Sequence, residues 1–145
     1  MRPEFFGLVR QFVDAWNRHD VTALNLFYSV NAVRETPGGG RQEGIDALRK
    51  CHEAMLRAFP DLTMDYRHEF TAGSHGVLEW TIKGTQSGPL DTPWGIVPAS
   101  GKWVEFTGIL VWEMDDRGYI IREKLYADFA GLLSQLDAMK VATPV

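Results

Sequence analysis

Few residues in this chain have the chemical capacity and the spacing to act together. Asp128 ends a stretch of alternating side chains, with Tyr126 two positions before it. Residues two apart on a strand share a face, so this pair would present a carboxylate beside a phenol. In an apolar cavity, desolvation raises a carboxylate above its reference of about 3.9 and suits it to accept a carbon-bound proton. The same aspartate precedes an amphipathic segment and could instead cap a final helix. His68 shares a strand face with Met64, Tyr66 and Phe70. There it would either complete a core hydrogen bond or orient and protonate a substrate oxygen. A buried Tyr126 hydroxyl needs a partner, and a substrate carbonyl would serve.

Around these groups the sequence offers aromatic and aliphatic wall. Trp16, Tyr66, Phe106 and Leu110 are expected to shape the cavity, and Trp94, between Pro93 and Gly95, to act as a lid residue or to pack onto the sheet. His52 lies on the apolar stripe of a helix and reads as core. No metal site is expected: the four histidines lack ligand spacing and Cys51 has no thiol partner. Gly38-Gly39-Gly40 is not followed by the Lys and Ser/Thr of a phosphate loop, and no Gly-x-Ser-x-Gly elbow occurs.

The elements that must position these residues follow from periodicity. Phe5, Val9, Phe12, Val13 and Trp16 recur at helical spacing, as do Ile45, Leu48, His52, Met55 and Phe59 before Pro60. Asp20 is placed to cap a short helix through Leu24 and Phe27. Ala32 to Thr36 reads as a short strand, and Pro37 to Gly40 as a turn. The second half changes to period two, with strands from Leu62 to Thr71, Val77 to Thr85, Lys102 to Met114 and Tyr119 to Asp128, then a helix from Phe129 to Met139. Ser87 to Gly101 is a long Pro- and Gly-rich loop, and loops of that length often border a site. Helices first and antiparallel strands last make an α+β domain. One domain over 1–145 is expected, its curved sheet wrapped around the N-terminal helices to enclose one pocket.

The last hairpin decides which face holds Asp128. A four-residue turn, Asp115 to Gly118, pairs Phe106 with Ala127. A three-residue turn with left-handed Gly118 pairs Phe106 with Asp128 and Gly108 with Tyr126. The second is favoured, because glycine suits that turn position and leaves room for the tyrosine ring. It puts Phe106, Leu110, Tyr126 and Asp128 in the cavity, and Trp103, Ile109, Val111, Ile121, Leu125 and Phe129 on an outer face too apolar for water. That face predicts a homodimer.

With 145 residues, 45% of them hydrophobic, the chain can bury a core without staples. A net charge of −4 and scattered Lys and Arg argue against nucleic acid and anionic membranes as partners. No segment reaches the ~18 apolar residues of a membrane span. A single cysteine and no leader-like start lead to the expectation of a cytoplasmic protein.

Several stretches together resemble one family. Ala15-Trp16-Asn17 with Asp20, Phe59-Pro60-Asp61-Leu62, Gly84 to Pro89, Pro98 to Gly101, and Tyr126 to Asp128 with Leu132, Leu133, Gln135 and Leu136 are similar, in this order, to the SnoaL-like polyketide cyclases of the nuclear transport factor 2-like superfamily. The resemblance implies a conical α+β barrel open at one end, often dimeric. It implies acid/base chemistry without a cofactor on a small apolar ligand, with the family's catalytic carboxylate at Asp128. Two positions depart from the pattern: the histidine of the family's Gly-Thr-His motif is Gln86, and the cyclases' pocket histidine falls on Leu110. The leading expectation is proton abstraction next to a carbonyl, with Asp128 as base and Tyr126 and His68 as donors to the enolate oxygen. The alternatives are an epoxide hydrolase, needing a second carboxylate and a guanidinium, for which Arg34 and Glu35 compete, and a non-catalytic ligand-binding module.

Overall fold

The structure, a computed structural model, describes residues 4–139. Helix α1 (Phe5–Asn17) buries Val9, Phe12, Val13 and Trp16 on one stripe. Its last residue bolts it to the sheet: the Asn17 amide donates to the Met64 carbonyl at 2.9 Å and accepts from the Met64 N–H at 2.6 Å. Helix α2 (Val21–Asn25) is capped by Asp20, whose carboxylate accepts from the Ala23 N–H at 3.0 Å. Helix α3 (Ile45–Ala58) ends ahead of Pro60, and α4 (Phe129–Gln135) closes the described chain.

Six strands form one sheet in the order β2-β1-β8-β7-β4-β3. They are β1 (Tyr28–Thr36), β2 (Gly40–Glu43), β3 (Thr63–Ala72), β4 (His75–Thr85), β7 (Trp103–Met114) and β8 (Ile120–Ala127). The inner face buries Leu78, Trp80, Ile82, Phe106, Leu110 and Trp112 against Phe12, Trp16 and Phe59. This is the expected α+β class, a curved sheet with N-terminal helices. Three features were not anticipated. β2 continues the Pro37–Gly40 turn, β1 and β8 pair in parallel, and the long loop carries a small hairpin, β5 (Leu90–Thr92) and β6 (Gly95–Val97).

Two bulges set the faces. In β3, Tyr66 faces Trp80 but His68 faces Glu79, leaving Arg67 as the extra residue. In β8, Met114 faces Ile120 but Glu113 faces Arg122, leaving Ile121 extra. Beyond each bulge every side chain changes face. The three-residue turn is as favoured from sequence: Gly118 has φ 88° and the Asp115 N–H donates to the Tyr119 carbonyl. The bulge after it carries the register one residue further. Gly108 therefore faces Ala127, Ile109 faces Tyr126, and Leu110 faces Leu125.

Candidate active site

Between the inner face, α1, α3 and α4 lies a narrow apolar cavity. Its wall includes Phe12, Trp16, Met55, Met64, Ile82, Phe106, Leu110 and Leu132. Leu90, Asp91 and Thr92 of β5 stand at the mouth, so the long loop does border the pocket. The base of that loop is held by Gln86, which is fully buried. The two N–H groups of its amide are shared among the carbonyls of Gly88, Val97 and Pro98, and its oxygen accepts from the Ser100 N–H, all at 3.0–3.2 Å. Gln86 thus braces both ends of the loop.

Besides Cys51 and, on β5, Asp91 and Thr92, the polar side chains of the cavity wall are Tyr28, Arg34, His52 and Glu123, which cluster together. The parallel pairing of β1 with β8 sets Arg34 directly beside Glu123, and Arg34 Nε lies 3.3 Å from Glu123 Oε2. Glu123 Oε1 accepts from the Tyr28 hydroxyl at 2.7 Å and from Trp112 Nε1 at 2.8 Å. Three donors thus hold one buried carboxylate, the condition under which a buried charge is tolerated. Burial, then the Glu123 charge, pushes Tyr28 well above the usual phenol range, so it stays protonated and donates.

His52 is 4% exposed, packed against the Trp16 ring at 5.3 Å and the Tyr28 ring at 5.5 Å. Burial, reinforced by the Arg34 charge, pulls its pKa down to about 3. The imidazole is therefore neutral at ordinary pH. Its Nδ1 lies 3.2 Å from Asn25 Oδ1. An amide oxygen only accepts, so with this amide orientation Nδ1 carries the proton and Nε2 keeps its lone pair. The cavity thus holds a neutral proton acceptor and a guanidinium whose charge is matched by one carboxylate.

The residues expected from sequence divide. Trp16, Phe106 and Leu110 line the cavity. Tyr66 is half-buried beside α1 and contributes to a shallow surface depression with Asn17 instead. Trp94 is exposed at the tip of the β5–β6 hairpin, its ring 5.6 Å from that of Phe129, which does line the cavity. Asp128 and Tyr126 are not on the cavity face, because the bulge at Ile121 turns them outward. Asp128 is exposed and caps α4, accepting from the Gly131 N–H at 2.8 Å. Tyr126 is 46% exposed. His68 is turned out by the bulge at Arg67 and pairs with Glu79 on the outer face at 3.3 Å. Leu125 and Phe129, both expected outside, line the cavity instead.

His52 was read as core, and only its place beside Arg34 gives it a chemical role. Glu123 was missed. Its signal was available as the alternation Glu123-Leu125-Ala127, a charge on the face of two apolar residues. Of Arg34 and Glu35, Arg34 faces in, while Glu35 meets Arg41 at 3.4 Å. Among the described residues, no three His, Cys, Asp or Glu side chains converge as metal ligands, and no helix is long and apolar enough to cross a membrane.

Comparison with known proteins places this architecture. A family model described as SnoaL-like polyketide cyclase matches residues 7–136. No curated protein matches the chain by sequence. Among solved structures, TsrD from Streptomyces laurentii superposes with TM-score 0.79 at 24% identity, covering 93% of this chain and 96% of that one. A protein with a ketosteroid isomerase-like fold from Catenulispora acidiphila, crystallised with trimethylamine, gives 0.74 at 14%, covering 99% and 100%. The epoxide hydrolase/cyclase-like enzyme SalBIII of salinomycin pyran-ring formation gives 0.71 at 19%, covering 86% and 91%. At these identities the structural likeness establishes the fold.

Proposed function

The chain belongs to the SnoaL-like polyketide cyclase family, and from that premise we propose that it is an acid/base enzyme acting through its own side chains on a small, apolar, carbonyl-bearing ligand. The observation that carries this reading is the neutral His52 imidazole sharing one apolar cavity with the Arg34 guanidinium. His52 Nε2 takes the proton from the carbon next to the carbonyl. Negative charge develops on the carbonyl oxygen, and Arg34 stabilises it with the N–H donors not spent on Glu123 and Gln42. Glu123, Tyr28 and Trp112 hold Arg34 in place. An imidazolium beside Arg34 is costly in the empty cavity, but the enolate formed in the same step compensates it. The proton then returns to a different carbon (isomerisation), goes to a leaving oxygen as its C–O bond breaks (elimination), or goes to the alkoxide formed when the enolate carbon attacks a second carbonyl of the same ligand (cyclisation). The β5–β6 hairpin, with Trp94 at its tip, covers the mouth. Two copies associate through the outer sheet face.

The test needs no natural substrate. 1-Indanone in deuterium oxide should exchange its α-hydrogens faster with the protein than without it. His52→Gln should remove most of that rate, and full exchange in the variant would refute the assignment. A second reading, epoxide hydrolysis, is favoured by one observation: Arg34, Glu123 and Asp91 put a guanidinium and two carboxylates on the cavity wall. Conversion of indene oxide to the diol, with no ketone exchange, would select it.

A further inference from the structure

Trp80 lies in mid-β4, 4% exposed, and lines the cavity. Its Nε1 is the single buried side-chain nitrogen or oxygen, among the described residues, that has no hydrogen-bond partner. An indole N–H can only donate. Leaving such a donor unpaired in a core costs free energy that folded proteins normally avoid, and each exception calls for an explanation. The other buried indole nitrogen of this site, in Trp112, is paired with Glu123. Nor is the place of Trp80 accidental. Gly108 stands opposite it on β7, and a Cβ there would collide with the six-membered edge of the indole. Glycine at 108 thus makes room for this ring and for the Tyr126 backbone carbonyl, not for the tyrosine side chain. The nearby wall is Ile82, Leu110 and Phe106, whose ring is perpendicular to Trp80 at 5.5 Å, and none of these side chains offers an acceptor oxygen.

Charge limits what could supply that acceptor. Arg34 is matched by Glu123, His52 is neutral, and Asp91 adds a further carboxylate to the wall. An anionic ligand would bring an uncompensated negative charge into this chamber, which is costly. We infer that Trp80 is the ligand anchor: its buried, unpaired indole N–H binds an acceptor oxygen, carbonyl or ether, of an uncharged ligand. Gly108 is the positioning residue that seats it. The inference rests on the cavity being the ligand site proposed above and adds the residue that selects oxygenated over hydrocarbon ligands.

The test compares 1-indanone with indane, which has nearly the same shape and no acceptor. Indole N–H resonances of the ¹⁵N-labelled full chain, assigned through bonds, are followed during titration with each probe. The anchor predicts a downfield shift of the Trp80 N–H with the ketone alone. It also predicts roughly tenfold tighter binding of the ketone than of indane, as one hydrogen bond allows. Trp80→Phe should bring the two affinities together. If Trp80→Phe does not fold, the wild-type titration still decides. Equal affinities with an unmoved Trp80 signal would overturn the inference and assign the N–H to the Phe106 ring face. Failure of both probes to bind up to their solubility would overturn it too. A shifted Trp80 signal without deuterium exchange would leave the anchor standing and remove the acid/base reading. Exchange without the shift would do the reverse.

Discussion

His52 makes the cavity's electrostatics measurable without any ligand. In the folded chain its pKa is pulled from 6.5 to about 3, first by burial and then by Arg34. In the unfolded chain it returns to its ordinary value. Below that value the unfolded state binds a proton that the folded state refuses, so stability falls as pH falls. The contribution is whole above the unfolded pKa and is lost progressively down to about pH 3. At about 1.4 kcal/mol per pH unit, moving from about pH 7.5 to about pH 5 should cost ~2 kcal/mol through this one residue. Urea unfolding of wild type and His52→Gln at both pH values isolates it, because other titrating groups are common to the two proteins. The wild type should lose about 2 kcal/mol more than the variant. Parallel losses would refute the claim that burial and Arg34 keep His52 from taking up a proton below its ordinary pKa.

Three further outcomes follow from the geometry. Asp128→Asn should change stability by under about 1 kcal/mol, since asparagine caps a helix nearly as well, and should leave deuterium exchange on 1-indanone unaltered; loss of exchange would return Asp128 to the chemistry. Gln86→Leu strips three loop carbonyls of their donor and should cost ~3 kcal/mol in urea unfolding; a neutral result would mean the loop base is held otherwise. On the outer face, Val111 stands between Val77 and Lys124, with Phe70, Ile109 and Tyr126 on the same face, of which Phe70 is 63% exposed. Val111→Asp should convert dimers to monomers or aggregates in sedimentation, and a monomeric wild type at micromolar concentration would remove the interface.

The fold was legible because periodicity and punctuation are local. Asp20 reads as a cap from its own neighbours, Pro60 stops α3 by its ring, and Gly118 fixes a turn by its φ. The site was less legible because its faces depend on two extra residues, Arg67 and Ile121, that no local pattern marks. Each bulge reverses a strand's inner and outer sides, and together they exchange His68, Tyr126 and Asp128 for Glu123. Trp16, Phe106 and Leu110 face the cavity because each precedes any slip in its own element. The ion pair of Arg34 with Glu123 needed the parallel contact of strands 89 residues apart in sequence, which spacing alone does not reveal.

The central claim is that this cavity abstracts a proton next to a carbonyl, with His52 as acceptor and Arg34 holding the oxyanion. Deuterium incorporation at the α-carbon of 1-indanone, followed by proton NMR in deuterium oxide, addresses it most directly. Wild type should accelerate exchange. His52→Gln and Arg34→Gln, if each is folded by circular dichroism, should lose on the order of a hundredfold in that rate. Exchange no faster than in buffer, with 1-indanone demonstrably bound at Trp80, would contradict the account.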